Sequence, residues 1–390
     1  MSKTEDHNSM NRRDFLKFGA IGMAAAAGLS SLGRIAEAAS PASKAGITPV
    51  YRTLGRTGLK VTVVSFGAML TPDYEPMEAA FDLGVNYVDT ARRYMNGRNE
   101  EIVGKALKGR RDKVYVATKT PPTSQSKKDI FKDVETSLSK LQTDHIDVIQ
   151  LHSLTSGERA MIPETREALL ELRKQGKVRF FGVTTHTNQA DVLKAITDDP
   201  GKFFDMALVA YNYKSEPAVK EAIARAAKAG IGIVAMKTQV GGYKTDALGP
   251  ISPHQAALKW VLQDTNVACA IPGMKDMSML QEAAAVMGMK LTRRDGLILE
   301  RYAEAITPYY CHLCAQCEPT CPQNVAISTI NRSIMYAEGY ENYELARSTY
   351  DELRQNESAL ACSNCTECVA HCANGLNIAD KMRKARVLFA

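Results

Sequence analysis

The sequence predicts an α/β chain in which a closed (β/α)8 barrel, the TIM barrel, is followed by a smaller and mainly α-helical module. Three observations carry this reading. From Tyr51 onward, short and nearly continuous apolar runs alternate with longer amphipathic ones. Eight such pairs fit in about 240 residues, the count and length that the closed barrel requires. All nine cysteines lie at or beyond Cys269, and eight of them fall in two matching runs near the C-terminus.

The first 38 residues read as an address rather than as part of the fold. Arg12-Arg13 precede Phe15-Leu16-Lys17, a Gly/Ala-rich apolar run extends from Phe18 to Leu32, and Ala36-Glu37-Ala38 has the small-x-small form of a cleavage site. A basic segment, a short apolar segment and an A-x-A site in that order make a signal peptide and not a membrane anchor. The paired arginines resemble the twin-arginine signal, with Asn11 where a Ser or Thr usually leads. That resemblance implies passage of a folded protein through the twin-arginine translocase into the periplasm. Residues 39–49, rich in Ala, Ser, Pro and Gly, read as a lead-in to the barrel, which is expected over residues 48–290.

The strand candidates are Val61–Phe66, Val85–Asp89, Val114–Thr118, Ile146–Leu151, Val178–Thr184, Met206–Ala210, Ile231–Met236 and Val267–Ile271. Runs of this kind belong to strands buried on both faces of a parallel sheet. Between them, Glu100–Leu107, Ile130–Leu141, Thr165–Gln175, Asn188–Thr197 and Ala218–Ala229 carry apolar residues at helical spacing, and Gly176 and Gly230 offer left-handed caps. A doubly wound open sheet would want a G-x-G-x-x-G turn after its first strand, where this chain has only S-F-G-A-M-L.

Composition narrows the function. With 45% apolar and 24% charged residues, 390 residues suffice for one large and one small domain. The net charge of +6 is scattered, without a Lys/Arg run of the nucleic-acid type. Past the N-terminus no apolar stretch approaches the ~18 residues of a membrane span, so the mature chain is expected to be soluble, without a stable span.

A barrel of this kind places its active site at the C-terminal ends of its strands. The second strand ends in V-D-T-A-R-R-Y, placing Asp89 at the rim and Tyr94 in the loop; the third ends at Lys119 and the fourth at His152. These four side chains suit carbonyl chemistry. A lysine beside a tyrosine stabilises the phenolate and lowers its pKa, and an aspartate keeps that lysine charged. A neutral histidine can hydrogen-bond the carbonyl oxygen. Each residue alone has a structural explanation, but four at successive strand ends form a pattern.

Over residues 51 to 285 the chain resembles the aldo-keto reductases. D-T-A-x-x-Y, E-E-I-V-G-K-A-L, T-K-T and S-L-S-K-L-Q-T-D-H-I-D-V-I-Q-L-H occur in the family's order. The resemblance implies a catalytic tetrad of Asp89, Tyr94, Lys119 and His152, with a nicotinamide dinucleotide as hydride donor. It also implies cofactor contacts from Thr184-Thr185 in place of the usual Ser-Asn, Asn212 in place of Gln, and Met236 where a tyrosine often stacks. Gly241, Gly242, Gly273 and the start of the last helix would lie along the pyrophosphate. Lys275 suits the 2′-phosphate of NADP, but Met279 stands where an Arg is frequent, so NAD stays open. His186, Y-N-Y and Gly241-Gly242 resemble the branch of this family that carries an iron–sulfur extension.

A helix over Arg293–Ile306 leads out of the barrel, as a linker spanning residues 291–306. The C-terminal module, residues 307–390, holds Cys311, Cys314, Cys317 and Cys321, then Cys362, Cys365, Cys368 and Cys372. Both runs are C-x2-C-x2-C-x3-C, the spacing of 4Fe-4S ferredoxins. Because the fourth cysteine of such a run ligates the other cluster, the expected sets are Cys311, Cys314, Cys317 with Cys372, and Cys362, Cys365, Cys368 with Cys321. Disulfides at this spacing would be strained local bridges, and zinc has no use for the third cysteine of each run. The spacer Asn331–Arg354 reads as helical, and Cys269 as a small core residue.

Two functions follow. One is an exported oxidoreductase, with hydride transfer between NADP or NAD and a small carbonyl or alcohol coupled to two 4Fe-4S clusters and a redox protein partner. The other is an iron–sulfur electron-transfer protein whose barrel binds a partner or ligand without nicotinamide chemistry. Free nicotinamide cofactor is not expected outside the cytoplasm, so the first requires a tightly held dinucleotide.

Overall fold

The computed structural model describes residues 47–244 and 252–389. Arg12-Arg13 and the Ala36–Ala38 cleavage pattern lie outside the described residues. The chain begins with an antiparallel hairpin, β1 (Tyr51–Thr53) and β2 (Lys60–Thr62). Leu54, Leu59 and Val61 join Tyr87, Val148, Met206 and Val234 in the lower apolar core, so the hairpin plugs the barrel floor. Arg52 fastens it by donating to the carbonyls of Leu262 and Val267 at 2.6 and 2.7 Å.

The parallel sheet runs β3 (Phe66–Gly67), β4 (Tyr87–Asp89), β5 (Tyr115–Thr120), β6 (Ile146–Leu151), β7 (Val178–Thr185), β8 (Met206–Ala210), β9 (Gly232–Met236) and β10 (Val267–Ala270), each strand paired with the next. Bridges Val64↔Ala270 and Gly67↔Gly273 join the two edges and close the barrel. The first strand departs from expectation. The run Val61–Phe66 divides because Ser65 Oγ donates to the Thr62 carbonyl at 2.7 Å, and the chain bends there. Its first half pairs in the hairpin, Val64 makes an isolated bridge to Ala270, and Phe66–Gly67 forms the barrel strand.

Outside the sheet pack α1 (Glu75–Asp82), α2 (Asn99–Leu107), α3 (Lys127–Leu141), α4 (Pro163–Lys174), α5 (Gln189–Thr197), α6 (Pro217–Lys228), α7 (Pro253–Gln263) and α8 (Met277–Ala284). Gly176 and Gly230 take φ of +74° and +88° just past α4 and α6, the left-handed ends anticipated from sequence. The linking helix α9 (Arg293–Ile306) starts from a Thr292–Asp295 capping box, and Asp295 also binds Lys259 of α7 at 2.9 Å.

Beyond the first cysteine run come α10 (Ile327–Glu338) and α11 (Tyr343–Tyr350); beyond the second comes α12 (Ile378–Phe389). The spacer read as one helical stretch is thus two helices. They separate at Gly339, where a Cβ would stand 2.1 Å from the Gly241 carbonyl oxygen of the barrel, and Asn342 caps the second by accepting from Leu345 N–H. The core of this module is continuous with the barrel mouth. Val240 and Tyr243 pack with Tyr302, Ile330, Ile334, Tyr350 and Phe389.

Candidate active site and thiol clusters

Asp89 ends β4, Lys119 lies near the end of β5, and His152 follows β6, so parallel register brings all three to one rim. Lys119 Nζ donates to Asp89 Oδ1 and to the Thr90 carbonyl, the latter at 2.6 Å. Gln150 Nε2 donates to Asp89 Oδ2 at 2.8 Å. Sequence reasoning passed over Gln150, although its signal was present: it lies two residues before His152 and so shares its face of the strand. Burial pushes the Asp89 carboxyl above its ordinary range and the Lys119 ammonium below its own, against their mutual attraction.

The loop carrying Tyr94 is tied down from below. Thr90 Oγ1 donates to Asn99 Oδ1 at 2.6 Å, and fully buried Glu100 takes Arg92 and the Thr118 hydroxyl, each at 2.7 Å. Met95 and Asn96, just past Tyr94, hold left-handed φ of 51° and 52°, a conformation that persists only where the surroundings impose it. Lys119 Nζ sits 4.7 Å from the Tyr94 ring centroid, and the His152 ring stands edge-on at 6.0 Å.

The electrostatics differ from the sequence expectation in one respect. Burial, then the charges of Asp89 and Tyr336, hold the Tyr94 hydroxyl well above its usual range, and Arg332 opposes them. Lys119 does not reverse this, because its ammonium is committed to Asp89 and Thr90 and faces the ring. Burial also holds His152 and His186 well below the ordinary histidine range, so both are neutral.

Asp89 and Tyr94 of the tetrad line a cavity of about 310 Å³ at the mouth, and His152 lines a smaller one beside it. Of the residues expected at a dinucleotide, Met236, Gly242, Gly273 and Lys275 line it, with Gly339, Tyr340 and Glu341 of the C-terminal module opposite. Thr184, Thr185 and Asn212 do not. Thr184 Oγ1 accepts from Ser153 N–H at 2.8 Å, and Thr185 Oγ1 donates to the Thr187 carbonyl at 2.7 Å. Asn212 Nδ2 donates to the Lys237 carbonyl and to Tyr310 Oη, each at 3.0 Å. Gly241 lies against Gly339, and Asp276 caps α8 by accepting from Met279 N–H. Lys237, which no pattern marked, lies 4.5 and 5.2 Å from the rings of Tyr336 and Tyr340.

A dinucleotide fits the phosphate end of this groove. Gly273 leaves backbone bare beside Leu70 at that wall, Lys275 flanks it, and Lys244 there is paired with Glu341 at 2.8 Å. The carboxamide end offers no free side-chain amide or hydroxyl among Thr184, Thr185 and Asn212.

The electrostatic neighbours of Cys311, Cys314, Cys317 and Cys362 fall into two groups. Burial and then the neighbours Cys317, Cys314 and Cys372 push the Cys311 thiol up to about 12, and Cys314 and Cys317 likewise feel Cys372. Cys362 instead feels Cys321, Cys365 and Cys368. All nine cysteines are free, and among the described residues no three His, Cys, Asp or Glu converge tightly enough for a single metal ion. Eight free thiols in two C-x2-C-x2-C-x3-C runs are the donor set that iron–sulfur clusters take. Leu313 and Asn374 N–H donate to the sulfurs of Cys311 and Cys372 at 3.4 and 3.3 Å. Cys269 is buried in the barrel floor, its thiol pushed up to about 12.

Comparison with known proteins agrees with this geometry. The model of the Aldo/keto reductase family matches residues 71–247, and that of the 4Fe-4S dicluster domain matches residues 310–377. The chain therefore belongs to the aldo/keto reductase family of oxidoreductases and carries a 4Fe-4S dicluster domain after its barrel. Aldo-keto reductase YhdN of Bacillus subtilis is 34% identical over 168 residues, which cover 37% of this chain and 50% of that protein. An uncharacterized oxidoreductase of the same organism, YrpG, is 30% identical over 220 residues, covering 49% of this chain and 67% of that protein. The solved structure of aldo-keto reductase AKR11C1 from Bacillus halodurans, in its holo form, superposes with a TM-score of 0.54 at 27% identity, covering 65% of this chain and 96% of that one. The chain spans about half the length of the first curated relatives it matches.

Proposed function

We propose that this chain is an exported oxidoreductase. In this reading, hydride passes between a nicotinamide dinucleotide and a carbonyl or alcohol in the barrel. Two 4Fe-4S clusters carry electrons to or from a redox protein partner. The observation that carries the reading is the buried Asp89–Lys119–Tyr94–His152 assembly, whose Asp89 and Tyr94 line the groove walled by Gly273 and Lys275.

The dinucleotide supplies hydride when bound. Met236 would border its nicotinamide, and Gly242, Gly273 and Lys275 would hold its phosphates. Lys275 favours NADP, although Met279 adds no second cation there. The clusters would supply one-electron transfer, whereas hydride moves two electrons at once, so coupling the two requires a group that splits the pair.

The chain's own residues supply the proton. Tyr94, kept neutral by burial, has a phenol proton to give to the carbonyl oxygen. Lys119, fixed by Asp89 and Thr90, lies 4.7 Å from the Tyr94 ring centroid and holds the ring in place beside His152. Neutral His152 is free to hydrogen-bond the same oxygen. Helices α10 and α11 roof the mouth and exclude water.

Tyr94→Phe tests the assignment. Carbonyl reduction should fall by about 100-fold or more while the visible spectrum and iron content stay unchanged; retained turnover refutes the role. Export is tested by replacing Arg12-Arg13 with lysines, which should leave the precursor uncleaved in the cytoplasm.

A second reading takes the barrel as a ligand- or partner-binding scaffold without nicotinamide chemistry. The internal commitment of Thr184, Thr185 and Asn212 favours it. It requires that the purified protein release no dinucleotide on denaturation and bind none.

A further inference from the structure

Helix α10 of the iron–sulfur module delivers Arg332 into the barrel mouth. Its side chain is 7% exposed, and among the described residues no carboxylate or hydrogen-bond acceptor pairs with it. It lines a second, smaller cavity of about 30 Å³ whose other walls include Tyr94, His152, His186 and Ser153. Three buried nitrogens around this one space lack a protein partner: Arg332 Nε, His152 Nδ1 and His186 Nδ1.

The charges facing the cavity are Arg332, Arg93 and Glu352, and the last two pair with each other at 3.3 Å. The space is left with the single positive charge of Arg332. Burying an unpaired guanidinium costs several kcal/mol, so a site that keeps one is built for an anion. The planar fork of a guanidinium matches a carboxylate through two parallel hydrogen bonds. The neutral histidines add nitrogens that can hydrogen-bond an oxygen without competing for the charge. About 30 Å³ holds the oxygens of one anionic group and not a whole molecule, but Met69 and Tyr94 also line the larger cavity of about 310 Å³, so one small molecule that fills both spaces brings its anion to Arg332 and its reacting oxygen to Tyr94.

We propose that Arg332 is a substrate-binding residue and that the substrate is a small oxo acid or hydroxy acid, its carboxylate held by Arg332 beside a carbonyl or alcohol oxygen at Tyr94 and His152. This deepens the oxidoreductase reading and rests on it for the reacting group. The iron–sulfur module thus completes the substrate pocket of the barrel, and neither part forms the site alone.

The test uses the full holoprotein under anaerobic conditions with two probes of nearly equal shape, 2-oxobutyrate and its uncharged amide. 2-Oxobutyrate should raise the thermal midpoint of the native protein and the amide should not; in Arg332→Met the rise should vanish, and in Arg332→Lys it should partly return. The ratio of kcat/KM for acid over amide should fall roughly 10- to 100-fold in Arg332→Met. Iron content and visible spectrum serve as the folding control for both variants. Binding of 2-oxobutyrate that depends on Arg332 without any turnover supports the subsite and refutes the oxidoreductase reading. Equal use of acid and amide by the native protein, or stabilisation by inorganic phosphate and not by 2-oxobutyrate, overturns the subsite and leaves that reading standing.

Discussion

The two thiol sets share a sequence pattern and occupy different worlds. Cys317 of the first set is buried in the core that joins module to barrel, and its neighbour Tyr310 binds Asn212 at the barrel rim. Cys368 of the second set is exposed, as are Ser363, Asn364, Thr366, Glu367 and Val369 around it. The first set holds the one buried cysteine of the eight and the second the one exposed cysteine, while Cys321 and Cys362 of the second set also pack against the shared core. The difference suits a relay in which electrons pass between barrel and inner centre, then between outer centre and a docked partner. Identical spacing fixes what a motif binds; the packing around it decides with whom it exchanges.

The largest expected contrast comes from removing one ligand on each side. Cys317→Ser places a hydroxyl in the shared core as well as breaking a ligand set, so it should lose half or more of the iron and lower the thermal midpoint of the whole chain. Cys368→Ser should lose about half of the iron, since one of two sets is broken, and leave the barrel's midpoint nearly unchanged. Equal damage from both, by iron analysis and calorimetry, would break the comparison.

Acid should act on the inner side. His152 and His186 have folded pKa values held well below the ordinary 6.5, so the unfolded chain binds more protons than the folded one in that window. Stability contributed by their neutral forms is present above 6.5 and is lost as pH falls from there toward the depressed values. Midpoints measured from pH 8 down to 5 should therefore fall, and His186→Gln should flatten the slope.

Smaller again is Tyr310→Phe, which deletes the hydroxyl that accepts from Asn212 and should cost about 1 kcal/mol in denaturant titration. Smallest is Val369→Ser beside the outer set. It should change stability by less than about 0.5 kcal/mol, because its side chain is already in solvent. Any effect there should instead be on the rate of electron exchange with an added protein acceptor.

Much of this is legible in the sequence. Past the first strand, continuous apolar runs mark the sheet to within a residue or two, because a strand buried on both faces has no polar alternation to blur its limits. The tetrad positions and the crossed thiol sets follow from motif and spacing. What is not legible depends on contacts between distant segments. Arg332 sits in a helix whose pattern gives no sign that one residue points into the mouth of a barrel far upstream in the chain. Asn212 reads as a cofactor ligand because its partner, Tyr310, belongs to another module. The depression expected at Tyr94 requires a Lys119 free to act on the phenol, and nothing local reveals that Asp89 and Thr90 claim it.

The central claim is that barrel and clusters form one redox unit. It is tested most directly by anaerobic titration of the full chain with NADPH and NADH while the broad visible absorbance of the clusters is recorded. The account predicts bleaching by at least one nucleotide, reversed on adding a carbonyl substrate. An unchanged spectrum with both nucleotides, in protein whose clusters are bleached by dithionite, would contradict it.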